Sequence, residues 1–231
     1  MRTPDLGPSG GSGGPVASRT DRSLLVPYYE HPAVRPAEWE ALLAAAPRLY
    51  GVVLNPASGP GEDPDPAFAE VAARLRAADV RVLGYVDTDY GRRPLADVLR
   101  DVSRHRSWYD TDGTFLDQAA ASESGVHYYR RLAAACRGTL VLNHGTTPHP
   151  VYAGVADVLV TFEGTWAGYR RKGPPPWTGT GADLCHLVHG VPPGADPAAL
   201  ARERGAGLYC AVPGVGDHPW GTLPCGLEPA P

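Results

Sequence analysis

Between Leu24 and Val212 the chain alternates short apolar runs with amphipathic stretches of helical period, and polar turns separate the two. Eight runs qualify as strands: Leu24–Tyr28, Tyr50–Asn55, Val80–Val86, Gly113–Asp117, Thr139–Asn143, Val158–Glu163, Leu184–His189 and Gly207–Val212. Most are near-continuous rather than alternating, as expected of strands covered by helices on one side and packed side chains on the other. They recur about every 25 residues, the spacing of a βα unit, which predicts a parallel sheet. Eight such units predict a compact α/β fold, the (β/α)8 TIM-type barrel.

The stretches between the runs carry helix signals. Pro36 opens the first, where Trp39, Leu42, Leu43 and Ala46 fall at i, i+3, i+4 and i+7 and form one apolar stripe. Asp65-Pro66, a capping acid before a proline at the first helical position, opens the second, with Phe68, Val71, Ala72 and Leu75 as its face. The third starts at Pro94 and buries Leu95, Val98, Leu99 and Val102. Val126, Tyr129, Leu132, Ala133 and Cys136 form the fourth, and Asp196-Pro197 opens another before the last strand. Only about 14 residues separate the fifth and sixth strands, which predicts an abbreviated or missing fifth helix. After the sixth strand, Gly173-Pro174-Pro175-Pro176-Trp177 forbids a regular helix, so an irregular segment overhanging the pocket is expected.

Composition narrows the picture. At 231 residues and 43% hydrophobic content the chain can bury one large core, so residues 23–231 are expected to form a single barrel domain. Residues 1–22 are rich in Gly, Pro and Ser with almost no large apolar side chain, and are expected to be a disordered tail. That stretch lacks the apolar segment of a secretory signal. The chain as written is expected in the cytoplasm, and outside the cell if its true start lies upstream. No run approaches the ~18 apolar residues of a membrane span. The net charge of −4 and the absence of a Lys/Arg cluster argue against nucleic acid, since Arg170-Arg171-Lys172 is too short a basic run. Cys136, Cys185, Cys210 and Cys225 form no close pair and read as core thiols, with Cys210 and Cys225 the first pair to test for a disulfide in an exported protein. A monomer is expected.

In a closed parallel barrel every carboxyl end opens onto the same face. The polar residues there are Tyr28, Asn55, Tyr85, Asp87, Asp117, Gln118, Asn143, His144, Glu163, His189 and Tyr209, with Tyr90 in a following loop. Amides, carboxylates and imidazoles hydrogen-bond hydroxyls, and aromatic faces stack on sugar rings, so this is a carbohydrate-binding inventory. Trp108, Trp166, Tyr169 and Trp220 stand in or near the loops and could extend the platform. Asp117 and Glu163 each close an apolar run, and two carboxyl groups in one cleft are the minimum for splitting a glycosidic bond. The structural alternatives are a strand-end cap for Asp117 and a buried arginine partner for Glu163. The Asn55–Gly61 loop has no Gly-Lys-Ser/Thr, and its prolines remove amides that a phosphate would need, so it reads as a stiff turn holding Asn55. No histidine pair has metal-ligand spacing, and a metal-assisted site would have to gather His144, His189 and Asp117 from separate strands. Neither a metal nor a cofactor is expected.

Pro27-Tyr28-Tyr29, the Asn55–Gly61 loop, Gly84–Gly91, Gly113–Asp117, Leu142–Thr146, Thr161-Phe162-Glu163 and Pro219–Pro224 together resemble the spherulin-4-like (spherulation-specific) family. The resemblance runs from Leu24 to Pro224. It implies a (β/α)8 barrel related to glycoside hydrolases, including fungal enzymes that cleave α-1,4-linked N-acetylgalactosamine in galactosaminogalactan. In those enzymes the fourth strand typically ends in an Asp-Glu pair and a later strand supplies another Glu. Asp117 matches the first acid and Glu163 the later one. Gln118 departs from the pair, and an amide cannot exchange a proton near neutral pH. His144 also departs, standing where the family more often has proline, and family members are commonly secreted. The function this implies is hydrolysis of an α-linked galactosamine- or N-acetylgalactosamine-containing polysaccharide, by a retaining or substrate-assisted route. Asp117 would act as nucleophile or orient an acetamido group, Glu163 would protonate the leaving oxygen, and Gln118 and Asn143 would hold hydroxyl or acetamido groups. The alternative is a catalytically inactive barrel that binds glycans.

Overall fold

Eight parallel strands close into a barrel in the order in which the chain makes them: β1 (Leu24–Pro27), β2 (Leu49–Leu54), β3 (Arg81–Asp87), β4 (Gly113–Asp117), β5 (Thr139–Asn143), β6 (Val158–Thr165), β7 (Asp183–His189) and β8 (Leu208–Ala211). The last pairs with the first through Leu24 and Tyr209. This is the (β/α)8 architecture that the hydrophobic pattern predicts. The structure is a computed structural model and describes residues 22–174 and 176–229. The expected tail falls outside the described residues except for Arg22, whose guanidinium donates to the Asp79 carbonyl and carboxylate at 2.5 and 2.9 Å.

Among the described residues, six helices surround the strands: α1 (Pro36–Ala44), α2 (Pro66–Ala77), α3 (Leu95–Tyr109), α4 (Val126–Ala135), α5 (Trp166–Arg171) and α6 (Pro197–Glu203). The carboxylate of Asp65 caps α2 by accepting the Ala67 amide at 2.8 Å, and Asp196 caps α6 through Ala199 at 2.9 Å. Both caps stand directly before a proline, as the sequence indicates. Between β5 and β6 the connection contains a single 3₁₀ turn, Pro150–Gly154, in place of a full helix. After β6, α5 runs for only six residues before the proline-rich segment. Among the described residues no helix is long and apolar enough to cross a membrane. All four cysteines are free thiols, with Cys185 and Cys210 buried in the barrel.

Side chains alternate between the barrel interior and the helix-facing wall, with period two. On β3, a Cβ placed on Gly84 would lie 2.5 Å from the ring of His105 on α3, so Gly84 faces outward. Its neighbour Tyr85 points inward and stacks on Phe115 of β4, ring centroids 6.3 Å apart. Outside the wall, Tyr28, Trp39 and Phe68 meet edge to face at 5.2 and 6.3 Å between β1, α1 and α2. A second outer cluster joins Tyr129 of α4, Tyr152 and His144.

The turn from α4 into β5 depends on Gly138. Its φ is +76°, and a Cβ there would sit 1.9 Å from the Asp112 carbonyl, which accepts the Thr139 amide at 3.2 Å. Gly138→Ala is therefore expected to destabilise the barrel by at least ~2 kcal/mol, from left-handed strain plus a backbone clash. Urea unfolding with comparison of midpoints measures it.

Candidate active site

Glu163 owes its position to an irregularity in β6. Val158 and Val160 belong to the interior core with Cys185, Leu187 and Val141, so strict alternation would send Phe162 inward and Glu163 out among the helices. The register against β7 reads Val160 with Cys185, then Phe162 with His186. Thr161 is therefore an extra residue, a β-bulge that resets the alternation. Beyond it, Phe162 packs outside on Tyr169 of α5 at 4.7 Å, and Glu163 turns into the barrel mouth. Asp117 arrives without such a device, two residues beyond the inward Phe115.

The two carboxyl groups meet across one side chain. The Nδ2 of Asn143, at the end of β5, donates to Asp117 Oδ1 at 2.7 Å and to Glu163 Oε2 at 2.6 Å. Those two carboxyl oxygens can therefore lie no more than about 5.3 Å apart. The Asn143 Oδ1 accepts the Gly145 amide at 3.0 Å, which fixes the orientation of the side-chain amide with its NH2 toward the acids. Gly145 holds a φ of +64°, and its carbonyl accepts the Glu163 amide at 3.0 Å, so one left-handed turn ties the ends of β5 and β6 together. The remaining oxygens are also occupied. Tyr85 Oη donates to Asp117 Oδ2 at 2.7 Å, and the indole N–H of Trp220 donates to Glu163 Oε1 at 3.0 Å.

Burial raises both carboxyl pKa values above their ordinary range, and the surrounding donors oppose it. The opposition is unequal. Asp117 in its charged form accepts from Tyr85, the Gln118 amide and Asn143. Glu163 accepts from Asn143 and Trp220 and also feels the charge of Asp117, which raises it further. Two neighbouring acids held by unequal sets of donors suit one anion and one retained proton. Tyr85 is pushed well above the usual phenol range by burial and then by the Asp117 charge, so it remains a donor.

The β3 and β4 ends are stitched together by unusual backbone. Gln118, Asp89 and Tyr90 all have left-handed φ angles of 46 to 53°. The Gln118 carbonyl accepts the Tyr90 amide at 2.8 Å, and the Thr88 hydroxyl is shared between the carbonyls of Asp117 and Gln118 at 2.9 Å each. Strain of this kind clusters at functional sites. It leaves the Tyr90 ring 51% exposed at the mouth, with the Arg92 guanidinium 5.4 Å from its centroid.

Of the strand-end residues expected from the sequence, Tyr85, Asp117, Asn143 and Glu163 are brought into contact. Asp87 sits beside Asp117 in the strand register, its Oδ1 accepting the Asp89 amide at 2.7 Å. His189 packs edge to face on Trp220 at 6.2 Å, with its Nδ1 buried and unpartnered. Asn55 turns its amide oxygen to the Gly59 amide of its own loop at 2.8 Å. Three expectations need correction. Tyr28 lies outside the wall against Trp39, because inward positions on β1 fall on the other parity. Tyr209 also faces outward, under the influence of Arg48 and Arg202. His144 is buried between Tyr152 and Tyr129, its Nδ1 on the Ala119 and Ala120 carbonyls, and burial lowers its pKa to about 4. Among the described residues no group of three or more His, Cys, Asp or Glu side chains could hold a metal ion.

Tyr29 was not expected at the site, and Trp220 was expected only as part of a stacking platform. Tyr29 sets its ring edge on Tyr85 at 5.6 Å, and its hydroxyl feels Asp117 and Glu163. Trp220 reaches Glu163 from the loop after β8, anchored by the Tyr29 amide on its carbonyl at 3.1 Å. Period-two parity was the available signal for Tyr29; for Trp220 its place in a loop was legible, but its hydrogen bond to Glu163 was not. A cavity of about 1030 Å³ opens at the opposite face between Arg22, Tyr50, Arg81 and Asp183 and is lined by neither acid.

The family model of spherulation-specific family 4 matches residues 23–209. The chain belongs to that family. Spherulin-4 of Physarum polycephalum is 35% identical over 158 residues, which make up 64% of this chain and 47% of that protein, so the match spans about half of the relative's length. The crystal structure of Aspergillus clavatus Sph3 in complex with GalNAc is similar at a TM-score of 0.75 and 25% identity, over 89% of this chain and 94% of that one. The spore cortex-lytic enzyme SleL of Bacillus cereus, at 0.50 and 11% identity over 79% of this chain and 57% of that one, shares the fold alone.

Two of the buried tyrosines, Tyr28 and Tyr85, differ in a measurable way. Tyr28 Oη has no partner, so Tyr28→Phe is expected to leave stability level or to raise it by up to ~1 kcal/mol, whereas Tyr85→Phe, which strips a donor from Asp117, is expected to cost about 1–2 kcal/mol. Chemical denaturation of the two variants side by side makes the comparison.

Proposed function

We propose that this member of spherulation-specific family 4 is a glycoside hydrolase that cleaves α-linked galactosamine- or N-acetylgalactosamine-containing polysaccharide. The observation that carries the reading is the pair of partly buried carboxyl groups, Asp117 and Glu163, joined through one amide nitrogen at the barrel mouth. The GalNAc in the similar Sph3 structure supports an amino sugar as ligand.

The spacing favours retention. Retaining enzymes hold their two carboxyl groups about 5–5.5 Å apart, and inverting enzymes about 6.5–9.5 Å to admit a water. A limit of about 5.3 Å between the facing oxygens leaves no room for that water between them. Asp117, the better hydrogen-bonded of the two, stays charged and stabilises the oxocarbenium-like centre, directly as nucleophile or by orienting a substrate acetamido group. Glu163, more penalised as an anion, keeps its proton and delivers it to the leaving oxygen. The exposed Tyr90 ring offers a stacking face.

Incubation with α-1,4-linked N-acetylgalactosamine oligomers is expected to release reducing ends of retained anomeric configuration, followed by proton NMR before mutarotation. Asp117→Asn and Glu163→Gln are each expected to lower kcat by at least about 100-fold. Glycan binding without any cleavage would replace the hydrolase with a lectin-like barrel.

The pH dependence has a definite sign. Glu163 is raised, so its acid form survives above the usual carboxylic range and activity falls as pH climbs through that raised pKa. Asp117 is raised as well, so the anion is lost on acidification at a higher pH than an ordinary aspartate would lose it. A kcat/KM profile from pH 3 to 9 is expected to be bell-shaped, with its acid limb above the ordinary aspartate range.

A further inference from the structure

Asn143 departs from the role that its position suggests. A strand-end amide in a sugar pocket ordinarily faces the ligand, with one donor and one acceptor for hydroxyl or acetamido groups. Here the oxygen accepts the Gly145 amide and both N–H bonds are donated to the two acids. Asn143 is also 4% exposed, beneath the groups it holds. Only one lone pair of its oxygen is left, and neither N–H is free to donate to substrate.

We propose that Asn143 is a positioning residue, a clamp that fixes the separation of Asp117 and Glu163 and biases the pair toward sharing a single proton. The inference rests on the proposed hydrolase and concerns how its two acids divide their charge. Both N–H groups point at carboxyl oxygens, so the amide stabilises whichever acid is ionised. It cannot accept a proton from either, and the remaining proton is directed to the lone pairs that face the cavity. With the acids pinned this closely, the second ionisation has to be made against the charge of the first.

The other groups facing the pair leave this task to Asn143. Tyr85 bonds only Asp117, and the Trp220 indole bonds only Glu163. Tyr29, Cys185 and Cys210 line the interior side with hydroxyl and thiol groups whose pKa values are raised by burial and which stay neutral. Asp87 adds a negative charge on the β3 side. Among the described residues, Asn143 is the side chain that hydrogen-bonds both acids.

The clamp is tested by ¹³C NMR titration of the Asp117 and Glu163 carboxyl carbons in the full chain, alongside kcat/KM profiles. In the native protein each resonance is expected to report both ionisation steps. In Asn143→Ala the first step is expected to move up by about one pH unit, because the monoanion loses a donated N–H. kcat is expected to fall about 100-fold or more, with KM within about threefold. Asn143→Asp, of nearly the same shape but unable to donate when ionised, is expected to move the first step in the same direction and guards against a folding artefact in the alanine variant. Unmoved titrations in both folded variants would overturn the clamp, whether or not kcat falls. Should the native protein cleave no amino-sugar oligomer, the hydrolase reading falls, and the titrations still decide whether Asn143 couples the two acids.

Discussion

A closed parallel barrel allows each strand residue one of two fates, inside or out, and the choice alternates with every step. That alternation is the constraint on which the rest of this molecule depends. It packs Leu, Val and Cys into the interior, sends Tyr28 and Gly84 to the helices, and decides which polar residue at each carboxyl end faces the mouth. On β4 the parity runs unbroken from Phe115 to Asp117. On β6 it is broken once, at Thr161, and without that break Glu163 would lie among the helices in place of Phe162. The bulge lies within the strand that forms the most extensive pairing in the barrel, with β7. Ladder bonds on either side of Thr161 supply the stability that a local loss of pairing costs.

Placing two carboxyl groups at the floor of a mouth is expensive, since each ion gives up water. The cost is offset locally, because each acidic oxygen meets a donor from a different part of the chain: Tyr85 from β3, Asn143 from β5 and Trp220 from the last loop. Those donors are themselves fixed, Asn143 through Gly145 and Trp220 through the Tyr29 amide. The site is thus a polar network in which four strands and one loop constrain one another. Removing a single member leaves a buried charge short of a partner, a much larger penalty than the worth of one exposed hydrogen bond.

The architecture was legible from the chain because it is written in local signals: apolar runs, Asp-Pro helix starts, and prolines where a helix is missing. Observed strand bounds differ from the expected ones by at most two residues at any end. Asp117 and Glu163 were legible as acids at the ends of apolar runs. Several neighbours were less so, and the reasons differ. Tyr28 and Tyr209 required counting parity along short strands whose first inward residue the sequence does not mark. His144 follows Asn143 in a turn whose left-handed Gly145 redirects the chain, so adjacency in sequence became opposition in space. Trp220 reaches the acids from a loop far along the chain, through a contact that no local pattern encodes.

Gln118 is best understood through charge. The residue after Asp117 must adopt a left-handed φ and offer its carbonyl to both Thr88 and Tyr90, a demand on the backbone that leaves the side chain unconstrained. A carboxylate there would add to Asp87, Asp117 and Glu163, with no arginine or lysine bonded to the last two. Each added negative charge makes ionisation of the pair harder. An amide keeps the pair near a state with one proton for two acids, which the proposed division of labour requires, and it retains hydrogen-bonding capacity toward a sugar. The departure from an acidic pair at this strand end therefore removes a potential proton carrier while leaving intact the network that sets the protonation of the two acids that remain.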